Sequence, residues 1–157
     1  MSQITLKRIT SENWREAIGL SVTVEQQEFV AAVTPPAAIA LAKAYIRPDG
    51  KMVEPYGVYH LQEMVGFFNL HYTPDSHEDY WLFHLFIDKR FQRMGLGSTA
   101  IQELIKHMRE FHPACHRLRL TVHPENDAGK KFYKKLGFTD DHILTHGEPT
   151  FSISLKA

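Results

Sequence analysis

The chain has 157 residues, in which eighteen Lys and Arg balance eighteen Asp and Glu, so the formal charge is zero with His neutral. Hydrophobic residues make up 43% and charged residues 23%, a globular composition that excludes disorder and gives no footing for general nucleic-acid or anionic-membrane binding. The single cysteine, Cys115, excludes an intramolecular disulfide framework and a multi-cysteine zinc site, and no apolar run approaches the ~20 residues of a membrane span.

The expectation is a soluble, cytoplasmic protein folding as one domain over residues 1–157, with a core that buries roughly 70% of the unfolded surface. Ten histidines are the one unusual count. His107, His112 and His116 lack an i, i+4 pairing with an acidic partner, and Pro113 interrupts them. They read as scattered surface and edge residues, and no metal is expected.

In chain order, Ile4, Leu6 and Arg8 begin an alternating strand. Residues 13–22 predict a helix with Trp14, Ala17 and Ile18 on one face. Thr34 then Pro35 reads as an N-cap followed by proline at the first helical position, ahead of strong helix formers over 37–45. Residues 47–55 are turn-rich. Residues 56–61 and 64–72 predict a hairpin, 73–79 a loop, and 81–87 a central strand buried on both faces apart from His84. A helix over 97–111 carries an apolar stripe from Ala100 to Met108, and Pro113 ends it. A strand over 118–122, a helix over 127–136 with Gly137 as left-handed cap, and two closing strands complete the pattern. Strands on both sides of helices predict a mixed α/β sheet with helices on both faces.

The chemistry concentrates in FIDKRFQRMGLG, residues 86–97. A strand runs into a short loop with two glycines, and a helix follows at once. Glycine permits close backbone approach, and the first helical turn offers unpaired N–H groups with partial positive charge, which suits a pyrophosphate. Arg93 adds a cation. A tight turn with no ligand is the alternative for such a short motif. No G-K-[ST] follows, so this is not a Walker A loop, and a third glycine is missing for a dinucleotide fingerprint.

Residues 92–97, QRMGLG, match the [QR]-x-x-G-x-[GA] loop of the GNAT acetyltransferases. Downstream, Glu125-Asn126 opens a helix, followed by Phe132-Tyr133 and Leu136-Gly137-Phe138, in the order that family shows. Over residues 64–138 the chain therefore resembles a GNAT acetyltransferase. The resemblance implies a mostly antiparallel mixed sheet whose central strand parts from its neighbour, with acetyl-CoA in the cleft. The pyrophosphate would lie on the loop Gln92, Arg93, Met94, Gly95, Leu96, Gly97 and Ser98. The pantetheine would pair with Leu85, Phe86 and Ile87, and Asn126 would contact the cofactor arm.

Acyl transfer to an alkyl ammonium needs a deprotonation route, an oxyanion donor and a proton for the departing thiolate. Tyr133 is the candidate proton donor. Ala128, Phe132 and Leu136 would face the core, and Tyr133 lies about 100° round the helix from Phe132. It either looks into the cleft or packs beside Phe132. Asn126 is also a good N-cap in its own right. No carboxylate lies between Tyr80 and Ile87, so His84 is the candidate base, with a water chain ending on Glu78 or Asp79 as the rival. His84 is equally readable as structural, because its direction depends on strand register and on any bulge. Gly129 stands where the family commonly has Ala, which lowers intrinsic helix propensity by ~1 kcal/mol.

Segments such as NWREAIGLSV, EQQEFVA and MVGFF look like bacterial GNATs of the spermine/spermidine or diamine type. A polycation would want an acidic, aromatic-lined mouth, for which Glu28, Asp75, Glu78, Asp79 and Trp81 are the candidates. The alternatives are another amine (an aminoglycoside, an amino acid or a protein amine) or a non-catalytic acyl-CoA sensor. The resemblance favours a homodimer over a monomer.

Overall fold

The computed structural model describes residues 3–156. Strand β1 (Ile4–Arg8) is followed by three helices, α1 (Trp14–Gly19), α2 (Val24–Val30) and α3 (Pro36–Ile46). Strands β2 (Met52–His60), β3 (Glu63–Tyr72) and β4 (Tyr80–Ile87) come next, then a 3-10 turn (Lys89–Phe91) and α4 (Leu96–Phe111). The chain closes through β5 (Arg117–Thr121), α5 (Asp127–Lys135), β6 (Thr139–Thr145) and β7 (Glu148–Ser154). All seven strands form one sheet in the order β1-β2-β3-β4-β5-β7-β6. Every pairing is antiparallel except β4 with β5.

Apolar side chains cover both sheet faces. Ala100, Ile101, Leu104 and Met108 lay the α4 stripe on Val58, Val65, Phe68, Leu70, Leu82 and Leu120. Ala17, Leu20, Ala37 and Ala40 from the N-terminal helices pack on Tyr59, Met64, Phe67 and Phe86 on the opposite face. The small alanines let α1 and α3 sit close to the sheet.

Three features of the N-terminal half differ from the expectation. The first helix stops at Gly19, and Leu20 onward is extended; Lys89 N–H bonds Ser21 O at 2.8 Å, and Ser21 N–H bonds Asp88 Oδ2 at 2.9 Å. Trp14 is 41% exposed rather than core-facing. A further short helix, α2, starts at a capping box in which Thr23 and Gln26 satisfy each other's backbone donors. Proline at the first position of α3 is Pro36, with Pro35 as its N-cap.

The turn-rich stretch is also shorter than expected, because β2 begins at Met52 and runs through Pro55. Proline is tolerated there because its carbonyl accepts from Ile9 N at 3.0 Å. The Pro55 nitrogen therefore faces the β1 side, beyond the last β1 pair at Arg8↔Tyr56, and no β3 bond is lost. Elsewhere the boundaries agree closely, including Gly137 with φ 102° after α5 and Gly147 with φ 81° in the last hairpin.

Strand β4 departs most instructively. Phe67 pairs with Phe86 and Asn69 with Phe83, so Phe68 faces two residues, His84 and Leu85. This is a β-bulge, with His84 in the left-handed region at φ 56°. The bulge inverts the alternation. Tyr80 and Leu82 point into the α4-side core, but beyond the bulge it is Phe86 that enters the opposite one. Strand β4 is consequently not buried on both faces: Trp81, Phe83, His84, Leu85 and Ile87 are all partly exposed.

Candidate active site

Strands β4 and β5 pair only through Trp81↔Arg119 and Leu82↔Leu120. From Phe83 onward they splay, and two cavities occupy the gap. The larger, about 530 Å³, is lined by Leu85, Phe86 and Ile87 of β4, by Gln92, Arg93, Gly95, Leu96, Gly97 and Ser98, and by Val22, Gln26, Phe29, Phe91, Gly129 and Phe132 among others. The smaller, about 360 Å³, is lined by Glu28, Lys43, Phe83, His84, Thr121, His123 and Glu148 among others. Phe29, Val30, Leu85, Asn126 and Tyr133 belong to both walls, so the cavities meet there.

The loop before α4 is braced from behind. Asp88 is buried and accepts from Ser21 N, Arg90 N and Arg90 Nε. Burial acts to raise its pKa, but the hydrogen bonds from Arg90 and Ser21 win and hold it below the ordinary carboxylate value. The Gln92 amide donates to Ile87 O at 2.8 Å and exchanges bonds with Gln26 at 2.9 and 3.1 Å. Its amide group is thus committed to tying α2 to the loop, although Gln92 also lines the cleft.

Gly95 is the α4 N-cap at φ 77°, and the first amide bonded back into the helix is Thr99 N, to Gly95 O at 3.2 Å. The amides of Leu96, Gly97 and Ser98 precede that bond at the positive end of the helix. A Cβ at Gly97 would lie 3.4 Å from Phe132 Cζ and 3.7 Å from Ile87 Cγ1, so glycine keeps the cleft wall open. Arg93 is exposed at the cleft edge with φ 64°. Met94 is 58% exposed and does not line the larger cavity.

Tyr133 sits in the last turn of α5, half-buried, edge-on to Phe132 at 5.1 Å and to Phe138 at 5.5 Å. Burial pushes its phenol well above the ordinary tyrosine value, so it is protonated at neutral pH. Both sequence alternatives hold at once: the ring packs beside Phe132 and also lines both cavities. Asn126 likewise combines two placements. Its Oδ1 accepts from Gly129 N at 2.9 Å as the α5 cap, and it lines both cavities.

His84 points toward α2 and α3. Its Nδ1 donates to Val30 O at 2.7 Å, and its Nε2 lies 3.0 Å from Lys43 Nζ. Burial, helped by the Lys43 charge, lowers its pKa to about 4, against the opposing bond to Val30 O. The ring is therefore neutral near pH 7, and Nε2 is the acceptor in the contact with Lys43 Nζ.

Of the acidic and aromatic candidates, Glu28 alone reaches the smaller cavity. Glu78 pairs with Arg119 and Arg117, and Asp79 with Lys51, Thr73 and the Trp81 indole. Trp81 lies on the paired end of β4, and Asp75 occupies the turn before it. None of these four lines either cavity. Sequence reasoning missed Lys43, His123 and Glu148, which come from distant elements; the Thr23–Gln26 capping box was the one readable sign of the α2 wall. His107 and His112 pack instead around Tyr56 and Tyr72, and His116 stacks on His77 at 4.1 Å.

A seven-stranded mixed sheet opened at one parallel pair, with the unbonded first amides of α4 at one end of the gap and a second cavity at the other, has the geometry expected of a two-substrate transferase with a phosphate-bearing donor. Residues 14–138 match the Acetyltransferase (GNAT) family, and the chain belongs to it. The chain is 28% identical over 140 residues to spermine/spermidine N(1)-acetyltransferase of Bacillus subtilis, spanning 86% of this chain and 87% of that protein. Its fold matches spermidine N-acetyltransferase from Vibrio cholerae in complex with CoA and spermine, with TM-score 0.74 and 16% identity over 98% of this chain and 96% of the other. It also matches an aminoglycoside acetyltransferase in complex with coenzyme A, with TM-score 0.76 and 17% identity over 97% and 95%. The protein is an N-acetyltransferase, and acetyl-CoA is its co-substrate.

Proposed function

We propose that this enzyme acetylates a primary amine of a small polyamine or diamine by direct attack on acetyl-CoA. The observation that carries the reading is the meeting of the two cavities at Tyr133. The larger cavity takes the donor, with its pyrophosphate on the amides of Leu96 to Ser98 beside Arg93. Its pantetheine runs along Leu85, Phe86 and Ile87, the part of β4 that β5 leaves unpaired. The smaller cavity takes the amine.

In this reading the amine attacks the thioester carbonyl, a β4 backbone N–H receives the oxyanion, and Tyr133 hands its proton to the departing thiolate. A phenol whose pKa is raised keeps that proton until the thiolate develops. His84 Nε2 faces Lys43 Nζ at 3.0 Å and would receive an incoming ammonium only where Lys43 gives way; it acts as a hydrogen-bond acceptor rather than as a strong base, because a group held at about 4 draws few protons at neutral pH. A polyamine acceptor is supported by the Bacillus subtilis relative and by Glu28 and Glu148 in the cavity wall.

The test is CoA thiol release from acetyl-CoA with spermine, spermidine, putrescine, an aminoglycoside and a lysine peptide. Release with the polyamines is expected. Release with the aminoglycoside or the peptide alone would replace the acceptor, and tight acetyl-CoA binding without release would leave a sensor.

A further inference from the structure

We propose that Lys43 is itself an acetylation site, its ε-amine taking the acetyl group when no external amine fills the smaller cavity. The inference rests on the acetyltransferase reading above. Lys43 lies in the last turn of α3, which Asn69 pins to the sheet by donating from Nδ2 to Ala40 O at 3.0 Å. Its Nζ is 3.0 Å from His84 Nε2 and 5.6 Å from the centre of the Phe83 ring. A hydrogen-bond acceptor beneath an aromatic face is a seat for an alkyl ammonium, which is also the reactive end of a diamine.

The seat faces the reacting region. His84 is anchored to Val30, and Val30 and the neighbouring Leu85 line both cavities. Lys43 and Tyr133 line the same 360 Å³ space. Lys43 is the lysine in either wall among the described residues. Lys51, Lys106 and Lys130 are held in ion pairs with Asp79, Glu103 and Asp127, whereas Lys43 makes no ion pair among the described residues. Partial burial lowers its pKa, against the pull of Asp49, which increases the share of free amine.

The step balances with what the enzyme already uses. The Nζ proton leaves through His84 Nε2 to solvent, and the freed lone pair attacks the thioester carbonyl carbon. An N–C bond forms as the C–S bond breaks, the CoA thiolate departs with the proton from Tyr133, and the second Nζ proton, shed as the amide forms, restores the Tyr133 phenol by way of solvent. The products are Nε-acetyl-lysine and free CoA.

The full chain, incubated with acetyl-CoA and no amine, would be digested and mapped by mass spectrometry. One acetyl group is expected on Lys43, appearing ahead of every other lysine, suppressed by excess spermidine and slowed by Tyr133→Phe. Lys43→Arg should remove that label, with its melting curve recorded alongside. Thiol release with spermidine while Lys43 stays unmodified would overturn this inference alone. Equal labelling of surface lysines, unaffected by Tyr133→Phe, would overturn it as solution chemistry. No release with any amine and no label would overturn the catalytic reading as well.

Discussion

The Tyr133 ring is placed by two aromatic edges, Phe132 and Phe138, and its phenol makes no side-chain hydrogen bond among the described residues. Replacing it by phenylalanine preserves those edges and removes only the proton. Tyr133→Phe should lower kcat by about a hundredfold or more, the usual scale for a general acid, with acetyl-CoA affinity and Tm unchanged. Steady-state kinetics with calorimetric titration separates the two, and full activity would take Tyr133 out of the chemistry. Gly97 is the matching residue for the donor. A side chain there starts 3.4 Å from Phe132, and a carboxylate would face the proposed pyrophosphate. Gly97→Asp should abolish acetyl-CoA binding by titration, and an unchanged Kd would move the anion seat elsewhere. Gly129 inverts the propensity argument. A Cβ there would collide with the Asn126 side chain, its Cγ lying 2.8 Å away, because that side chain folds over Gly129 to cap α5. Gly129→Ala should therefore fail to gain the ~1 kcal/mol that helix propensity alone offers and should lower Tm through the lost cap. A raised Tm in thermal melts would show that Asn126 can cap from another rotamer.

Elements with a strong local pattern were readable from sequence. Helix α4 is one: its stripe from Ala100 to Met108 repeats on every turn, and Gly95 and Pro113 bracket it. Helix α5 is another, with Asn126 as cap and Gly137 as left-handed stop. The proposed donor side of the site follows from these two, since it is built from consecutive residues around a helix start. The proposed acceptor side was not readable. It depends on α2, only seven residues long, and on a bulge whose extra residue turns His84 toward Val30 and Lys43. One residue of register reverses every side chain of a strand, and composition carries no sign of it. The acidic run from Asp75 to Asp79 misled for the same reason. Nearness to β4 in sequence put it at the paired end of the strand, where Arg117 and Arg119 pair with Glu78 and Lys51 pairs with Asp79.

At the scale of the whole molecule, the smaller cavity is wedged between the sheet and the N-terminal helices, and the histidines in and beside its wall couple that region to pH. His71 is buried beside Asn69 and against Phe83, and His84 stands over the same wall. Burial is the chief cause that lowers both from 6.5 to about 4, with the Lys43 charge adding to it. An unfolded chain would protonate both near 6.5, whereas the folded chain resists until about 4. Between those values the unfolded state binds more protons, so stability is full near neutrality and falls as pH drops through that window. The lost stabilisation for the two together is on the order of a few kcal/mol at about pH 5, a large part of the roughly 5–15 kcal/mol that holds a domain of this kind. His107 and His112 are lowered in the same direction, also chiefly by burial, and reinforce the trend. Urea titrations at about pH 7 and about pH 5 should show a lower midpoint in acid, with the difference reduced in His84→Gln and reduced further when His71→Gln is added. Equal midpoints at the two pH values would mean that the two rings take up protons in the folded state, and that the cavity admits solvent to Nε2 of His84 far more freely than its packing against Val30 and Lys43 implies.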